Sequence, residues 1–218
     1  MKPHFSLKQT LLFFFLLMIA LRALVDPIDI LSWDVFGYYL YLPAQFIYSD
    51  LGLTDPSWLD QLAELYHPSS TWYQLVDLPN GQRVIKYSMG VSLLLAPFFF
   101  IAHALAEPLG FPADGMSLPY QYLLCFGGLL YAMVGLFFFT RVLRYFFKPM
   151  LTFIVLVLIF FGSNYFHLTL YDGTLLSHNF LFTLYAVILY LTIRWNQKPK
   201  YSLAIAIGLC LGFATLIR

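Results

Sequence analysis

Apolar residues form long runs along most of this chain, and several of these runs have the length of a membrane-spanning helix. A helix that crosses the hydrocarbon core of a bilayer needs about 20 mostly apolar residues. The pattern therefore predicts spans at Leu11–Val25, Tyr120–Thr140, Met150–Phe166, Asn179–Ile193 and Tyr201–Ile217. The first run could instead be a cleaved signal peptide, but Arg22 interrupts the expected small-residue cleavage region. We expect a retained anchor with its N-terminus in the cytoplasm.

A sixth apolar run, Ser88–Ala106, is ambiguous because it contains Pro97 and His103. If it crossed the membrane, the basic segments Arg141–Lys148 and Arg194–Lys200 would lie outside, against the positive-inside rule. If it lies along the outer surface, both segments fall inside. All 11 acidic residues then lie outside, and all but one of them occur between Asp26 and Asp114. We therefore expect an interfacial helix here.

The region 26–119 is predicted to be a large outer loop with its own elements. Ile30–Tyr48 is rich in aromatic residues and poor in charges, which suits a helix at the headgroup level. Ser57–Leu65 predicts a second helix, with Ser57 as its N-cap. The turn sequence Pro79–Gln82 should join two short strands, Trp72–Leu78 and Arg83–Tyr87.

The predicted fold class is thus an all-α polytopic membrane protein, in which residues 1–218 form one membrane domain with about five transmembrane helices. An outer-face interfacial helix lies in the long first loop. The apolar stretch before Arg218 stops without a loop or tail, so we expect the chain to be the N-terminal portion of something longer.

Composition supports a membrane protein and excludes some other classes. The chain is 61% hydrophobic and 11% charged, against about 45–50% and about 25% in soluble domains. The net charge of +1 and the lack of a basic stripe exclude nucleic acid as a partner. Cys125 and Cys210 lie within apolar runs and predict neither a disulfide nor a metal site.

Candidate chemistry begins with Asp34, which lies in the aromatic helix at the expected membrane surface. A carboxylate there is poorly solvated, which suits a general base. Lys86, beside Tyr87, precedes the interfacial helix and could meet a lipid phosphate. The alternatives are an aspartate that faces water and an ordinary snorkelling lysine.

A second group of candidates lies on the outer side of the later spans. Asp172 and His178 belong to a short outer turn, and they could share a divalent metal or acid–base work with Asp34. The alternative is that both residues simply form a turn and a helix cap. Arg218 ends the fifth span on the same face, so it is a candidate substrate-binding group.

The order of these segments resembles the GT-C superfamily of integral-membrane glycosyltransferases. Within it, the chain is most similar to bacterial relatives of the protein O-mannosyltransferases and the lipid A aminoarabinose transferases. The matching pieces span most of the chain and keep their order and membrane side; they are Trp33–Tyr39, Lys86–Phe98, Tyr171–His178 and Gly212–Arg218.

The resemblance implies a glycosyltransferase at the outer, periplasmic face of the bacterial inner membrane. Its donor would be a sugar on a polyprenyl phosphate, and its acceptor a lipid, a glycan or a protein. Asp34 and Asp172 would be catalytic, while Lys86, Tyr87, His178 and Arg218 would bind substrate. The resemblance does not settle whether a divalent metal is required.

Two features depart from the family. Val35 follows Asp34 where a second acid is usual, and family members have many more spans. The resemblance therefore implies that this chain is the front part of such an enzyme and could be inactive by itself.

Two rival functions remain open, a transporter or flippase and a non-catalytic membrane bundle. The predicted spans after the large loop carry no charge near their middles, which counts against a transporter.

Overall fold

The computed structural model describes residues 6–217, without the side chain of Asp172. These residues are largely helical and form two compact units. The first unit contains the described residues up to Asp26 together with Gly128–Thr174 and His178–Thr215. The second contains Pro27–Gly127, Leu175–Ser177, Leu216 and Ile217. The large outer loop of the sequence prediction therefore corresponds closely to a compact unit.

The first unit is built from helices α1 (Leu7–Arg22), α7 (Pro149–Gly162), α8 (Tyr165–Leu170), α9 (Ser177–Gln197) and α10 (Tyr201–Ile217), with most of α6 (Leu118–Phe146). Its core is apolar, and Phe14, Met18 and Phe160 are fully buried there. The Phe14 and Phe160 rings meet edge to face, with centroids 5.5 Å apart. Aromatic packing thus joins α1 to α7 in this unit.

The second unit contains α2 (Trp33–Tyr39), α3 (Tyr41–Phe46), α4 (Pro56–Tyr66) and α5 (Gly90–Ala106), followed by a 3₁₀ turn at Glu107–Leu109. Strands β1 (Leu75–Asp77) and β2 (Arg83–Ile85) form an antiparallel hairpin in which Leu75 pairs with Ile85. The predicted turn connects them, and Gly81 adopts a positive φ of 82° there. The hairpin prediction is confirmed, with shorter strands than expected.

Several predicted helix boundaries are wrong, for local reasons. The aromatic helix is divided into α2 and α3, with Leu40 between them. α4 takes Asp55 as its N-cap, because the Asp55 carboxylate accepts a hydrogen bond from the Ser57 backbone N–H. α7 ends at Gly162 because Ser163 is extended, with φ −135° and ψ 177°.

Two described segments are long and apolar enough to cross a membrane by length and composition. They are Gly90–Leu109, with 20 residues, and Leu118–Phe146, with 29 residues. α7 has 14 residues and rises only about 21 Å, less than the roughly 30 Å of a hydrocarbon core. The expected span at Met150–Phe166 is therefore not a single long helix, and the count of five spans stays a prediction.

α5 occupies the run that was expected to lie along the surface, and its length also allows a crossing. Its interfacial placement stays a prediction. The three consecutive phenylalanines of α5, Phe98, Phe99 and Phe100, do not all face outward. Phe99 is fully buried, and its ring lies 6.1 Å from that of Tyr39 and 5.6 Å from that of Tyr120. Phe100 is 45% exposed.

Candidate active site around Asp34

Asp34 lies in the first turn of α2, where the helix dipole favours a negative charge. Trp33, the residue before it, has a positive φ of 53°, which is unusual for a large side chain. Two distant groups hold this conformation. The Trp33 backbone N–H donates to the Pro68 carbonyl oxygen at 2.8 Å, and the Trp33 carbonyl oxygen accepts from Gln74 Nε2 at 3.0 Å. The position of Asp34 is thus set by the segment 68–74.

Two tyrosines donate hydrogen bonds to the same oxygen of the Asp34 carboxylate. The Tyr73 hydroxyl lies 2.7 Å from Asp34 Oδ1, and the Tyr87 hydroxyl lies 2.6 Å from it. Asp34 is partly buried. Among the side chains that the structure describes, none donates a hydrogen bond to Oδ2. One oxygen of the carboxylate is therefore fixed, and the other is available to a ligand.

The two phenols are held in the protonated, donating form. Burial raises the pKa of Tyr73 to about 12, and the hydrogen bond to Asp34 and its charge act in the same direction. Burial, the Asp34 hydrogen bond and the Asp34 charge also raise the pKa of Tyr87 well above its ordinary value. At neutral pH both hydroxyl groups therefore keep their protons directed at the carboxylate.

Tyr87 is fixed by close packing as well as by its hydroxyl group. A Cβ at Gly37 would lie 2.3 Å from Tyr87 Cδ2, so only glycine leaves room for this ring. The Tyr38 ring centroid lies 4.5 Å from that of Tyr87. The Tyr41 hydroxyl donates to the Tyr87 carbonyl oxygen at 2.6 Å. The segments Gly37–Tyr41 and Tyr87 therefore hold each other in place.

Lys86 precedes Tyr87 in sequence, and its side chain projects from the protein surface. Its backbone N–H donates to the Gln74 carbonyl oxygen at 2.9 Å, while its side chain is exposed. No described acidic group forms a salt bridge with it; the ion pair found in the described residues joins Arg83 to Asp77. The arrangement offers a fixed carboxylate and an unpaired cation in one unit of the protein.

The remaining candidates belong to the first unit or lie outside the described residues. His178 is exposed in the first turn of α9, in the first unit. The side chain of Asp172 and the whole of Arg218 lie outside the described part of the chain. The convergence of these groups with Asp34 therefore stays a prediction. Among the described residues, no three His, Cys, Asp or Glu side chains come close enough to hold a metal ion.

Tyr73 is the site residue that the sequence interpretation missed, although the hairpin prediction contained the signal. Leu75 pairs with Ile85 in the antiparallel register. Continuing that register by two residues brings Tyr73 opposite Tyr87, and the Lys86–Gln74 backbone hydrogen bond follows the same register. Cross-strand pairing of the two predicted strands could thus have placed both tyrosines together.

Comparison of this chain with protein-family models, with curated proteins and with solved structures finds no match.

Proposed function

We propose that this chain carries the catalytic base of a membrane glycosyltransferase, which moves a sugar from a polyprenyl-phosphate-linked donor to an acceptor hydroxyl. In this proposal the reaction takes place at the outer face of the bacterial inner membrane, and the N-terminus lies in the cytoplasm. The observation that carries it is the Asp34 carboxylate, whose Oδ1 is fixed by Tyr73 and Tyr87. A general base must lie within hydrogen-bond distance of the proton that it removes. A carboxylate with one fixed oxygen holds its other oxygen in a defined position for this purpose.

The proposed step forms one glycosidic C–O bond, breaks the C–O bond to the donor phosphate and transfers one proton to Asp34. Asp34 Oδ2 takes the proton of the acceptor hydroxyl while the hydroxyl oxygen attacks the anomeric carbon of the sugar. The bond between that carbon and the donor phosphate oxygen breaks, and the phosphate leaves with the electron pair. A cation near the leaving phosphate stabilises the developing charge. Lys86 supplies such a cation and has no described salt-bridge partner to release first.

The membrane setting is supported by the segments that flank the site. Gly90–Leu109 starts four residues after Lys86 and is long and apolar enough to enter a bilayer. A lysine at the end of such a segment lies at the depth of lipid phosphates. The donor phosphate and Lys86 would therefore meet at the same level.

The experiment is a transfer assay in membranes that contain the protein, with a panel of polyprenyl-phosphate sugars carrying a radioactive label. Asp34→Asn should lower turnover about a hundredfold or more, because the general base is lost. Asp60→Asn removes the same charge from an exposed position on α4 and serves as the matched control. Lys86→Ala should weaken the use of the donor, and Lys86→Arg should retain most of it.

The tyrosines provide a finer test of the geometry. Tyr73→Phe and Tyr87→Phe keep the rings and remove the hydroxyl groups that fix Oδ1. Each should lower turnover, because the carboxylate loses its orientation. Tyr73→Phe should also leave donor KM little changed, because Tyr73 is not among the substrate-binding candidates. Transfer by Asp34→Asn at the rate of Asp60→Asn would refute the proposal.

A further inference from the structure

Ser177 contacts α2 through Tyr38, although 139 positions separate the two residues along the chain. The segment Leu175–Ser177 belongs to the second unit, as α2 does. The Ser177 hydroxyl group donates a hydrogen bond to the Tyr38 hydroxyl oxygen, with 3.3 Å between the two oxygens. Ser177 is only 7% exposed. A buried hydroxyl group without a partner would cost free energy, so this contact satisfies Ser177 and also restrains Tyr38.

Tyr38 lies on the same face of α2 as Asp34, because the two residues are four positions apart in the helix. The backbone of Tyr38 is also held in place, since the Ser92 hydroxyl group donates to its carbonyl oxygen. Ser92 is 1% exposed. Tyr38 is therefore restrained at its backbone by Ser92 and at the end of its side chain by Ser177.

The Tyr38 ring packs directly against Tyr87. The two ring centroids are 4.5 Å apart, and the ring planes are tilted by 54°. The Tyr87 hydroxyl group in turn donates to Asp34 Oδ1 at 2.6 Å. Closely packed side chains transmit a displacement to their neighbours, because there is little free space between them. A continuous series of contacts thus runs from Ser177 to the Asp34 carboxylate.

We propose that Ser177 is a positioning residue for the catalytic base. Its hydroxyl group holds Tyr38, and the Tyr38 ring holds Tyr87. The Tyr87 hydroxyl group then keeps Asp34 Oδ1 in place. For its effect on turnover this inference rests on the proposed function, whereas its effect on Tyr87 requires no substrate and can be measured separately.

A second role for Ser177 must be separated from this one. Ser177 begins α9, and a serine at the start of a helix often caps it. A cap would stabilise α9 whether or not Tyr38 carries a hydroxyl group. A positioning residue acts only through that hydroxyl group, so the two roles differ in how the effect of Ser177→Ala depends on Tyr38.

The first measurement uses the full chain in detergent micelles, with 3-fluorotyrosine in place of Tyr87. The fluorine resonance reports on the edge of the ring that carries the hydroxyl group. Ser177→Ala should shift and broaden this resonance, because the Tyr38 ring is released. Tyr38→Phe removes the partner of Ser177 and keeps the ring, so it should have a similar effect. Because Tyr38→Phe leaves the start of α9 intact, it tests the contact even if Ser177→Ala unfolds the chain.

Ser202→Ala is the matched control. Ser202 lies in the first turn of α10 and is exposed, so the substitution should leave the fluorine resonance of residue 87 unchanged.

Turnover in the transfer assay gives the second measurement. Ser177→Ala and Tyr38→Phe should each lower turnover about two- to tenfold, as expected for the loss of one neutral hydrogen bond. The double variant should be no slower than either single variant, because both changes break the same contact.

Two outcomes would overturn the inference. One is an unchanged fluorine resonance in Ser177→Ala, whatever the activity of the protein. The other is an equal loss of turnover on Ser177→Ala with and without the Tyr38 hydroxyl group, which is the result expected of a helix cap. If the unaltered protein transfers no sugar from any donor of the panel, the proposed function fails. The fluorine measurement still decides in that case whether Ser177 positions Tyr87.

Discussion

Replacing Gly37 by alanine tests whether close packing sets the position of Tyr87. Gly37 lies within α2, and a Cβ there would come 2.3 Å from Tyr87 Cδ2 and 2.5 Å from Tyr87 Cε2. Ordinary carbon–carbon contacts are about 3.5–4.0 Å. The tyrosine ring must therefore move by roughly 1 Å or more to accept the methyl group. Its hydroxyl lies 2.6 Å from Asp34 Oδ1, and such a shift takes that distance beyond the usual limit of about 3.2 Å.

The expected change in stability is the difference between two opposing effects. Overpacking costs about 1–3 kcal/mol, and the contact here involves two ring atoms of a side chain that is held at both ends. Alanine in place of glycine within a helix contributes up to about 1 kcal/mol in the opposite direction. Such a contact lies in the upper part of the overpacking range, at about 2–3 kcal/mol, so the net destabilisation is about 1–2 kcal/mol, which lowers Tm by about 2–8 °C in a chain of this size.

Thermal unfolding in detergent, followed by tryptophan fluorescence, measures this change. The chain has four tryptophans, and three of them, Trp33, Trp58 and Trp72, belong to the second unit, so the signal reports chiefly on that unit. Gly212→Ala is the matched control. Nothing lies within 4 Å of a Cβ there, and the substitution should leave Tm unchanged or raise it.

A double-mutant comparison identifies the cause. In a Tyr87→Ala background the ring is absent, so Gly37→Ala should become neutral or stabilising. The coupling between the two positions should then be on the order of 1–3 kcal/mol. If Gly37→Ala raises Tm in the unaltered protein, or lowers it equally with and without the Tyr87 ring, the packing argument is refuted.

The remaining predictions concern pH and topology. Burial raises the pKa of Asp50, but hydrogen bonds from the Thr54 and Asp55 backbone and from the Trp58 and Thr54 side chains outweigh it and lower the pKa from 3.8 to about 2. The stability that Asp50 contributes is therefore complete above about pH 4 and is lost as the pH falls through 2, and Asp50→Asn should flatten Tm measured across this window. For topology, single cysteines in a cysteine-free background should react with an impermeant reagent at Gly81 and Tyr171 but not at Arg144 or Gln197. Tyr171 serves as the outer reporter because its side chain is exposed. Labelling at Arg144 without labelling at Tyr171 would mean that Ser88–Ala106 crosses the membrane.

Much of the secondary structure could be predicted because it depends on local pattern. Long apolar runs produced helices, and the Pro79–Gln82 turn produced the hairpin that joins β1 to β2. Helix ends were less predictable because they depend on individual hydrogen bonds. The N-cap of α4 is Asp55 and not the predicted Ser57, because the Asp55 carboxylate accepts a hydrogen bond from the Ser57 backbone N–H. The end of α7 depends on the extended backbone of Ser163.

The candidate site was predicted in part. Residue type and expected depth predict Asp34 and Lys86, and the family resemblance adds Tyr87. The structure joins Asp34 to Tyr87 by a direct hydrogen bond. Tyr73 was missed because its role follows from strand register rather than from its neighbours in sequence. Whether Asp172, His178 and Arg218 join this group stays a prediction, since the side chain of Asp172 and all of Arg218 lie outside the described residues.

By itself the sequence determined that the chain is helical, that apolar helices dominate it, and that its acidic residues are concentrated between Asp26 and Asp114. These properties follow from hydrophobic runs and from residue counts, which do not require the folded chain. Only the tertiary structure decided that Pro27–Gly127 belongs to a compact unit and that Gly37 makes room for Tyr87. It also decided that Asn179 Oδ1 has no hydrogen-bond partner among the described residues. Each of these depends on distances between residues far apart in sequence, and such distances arise only when the side chains pack.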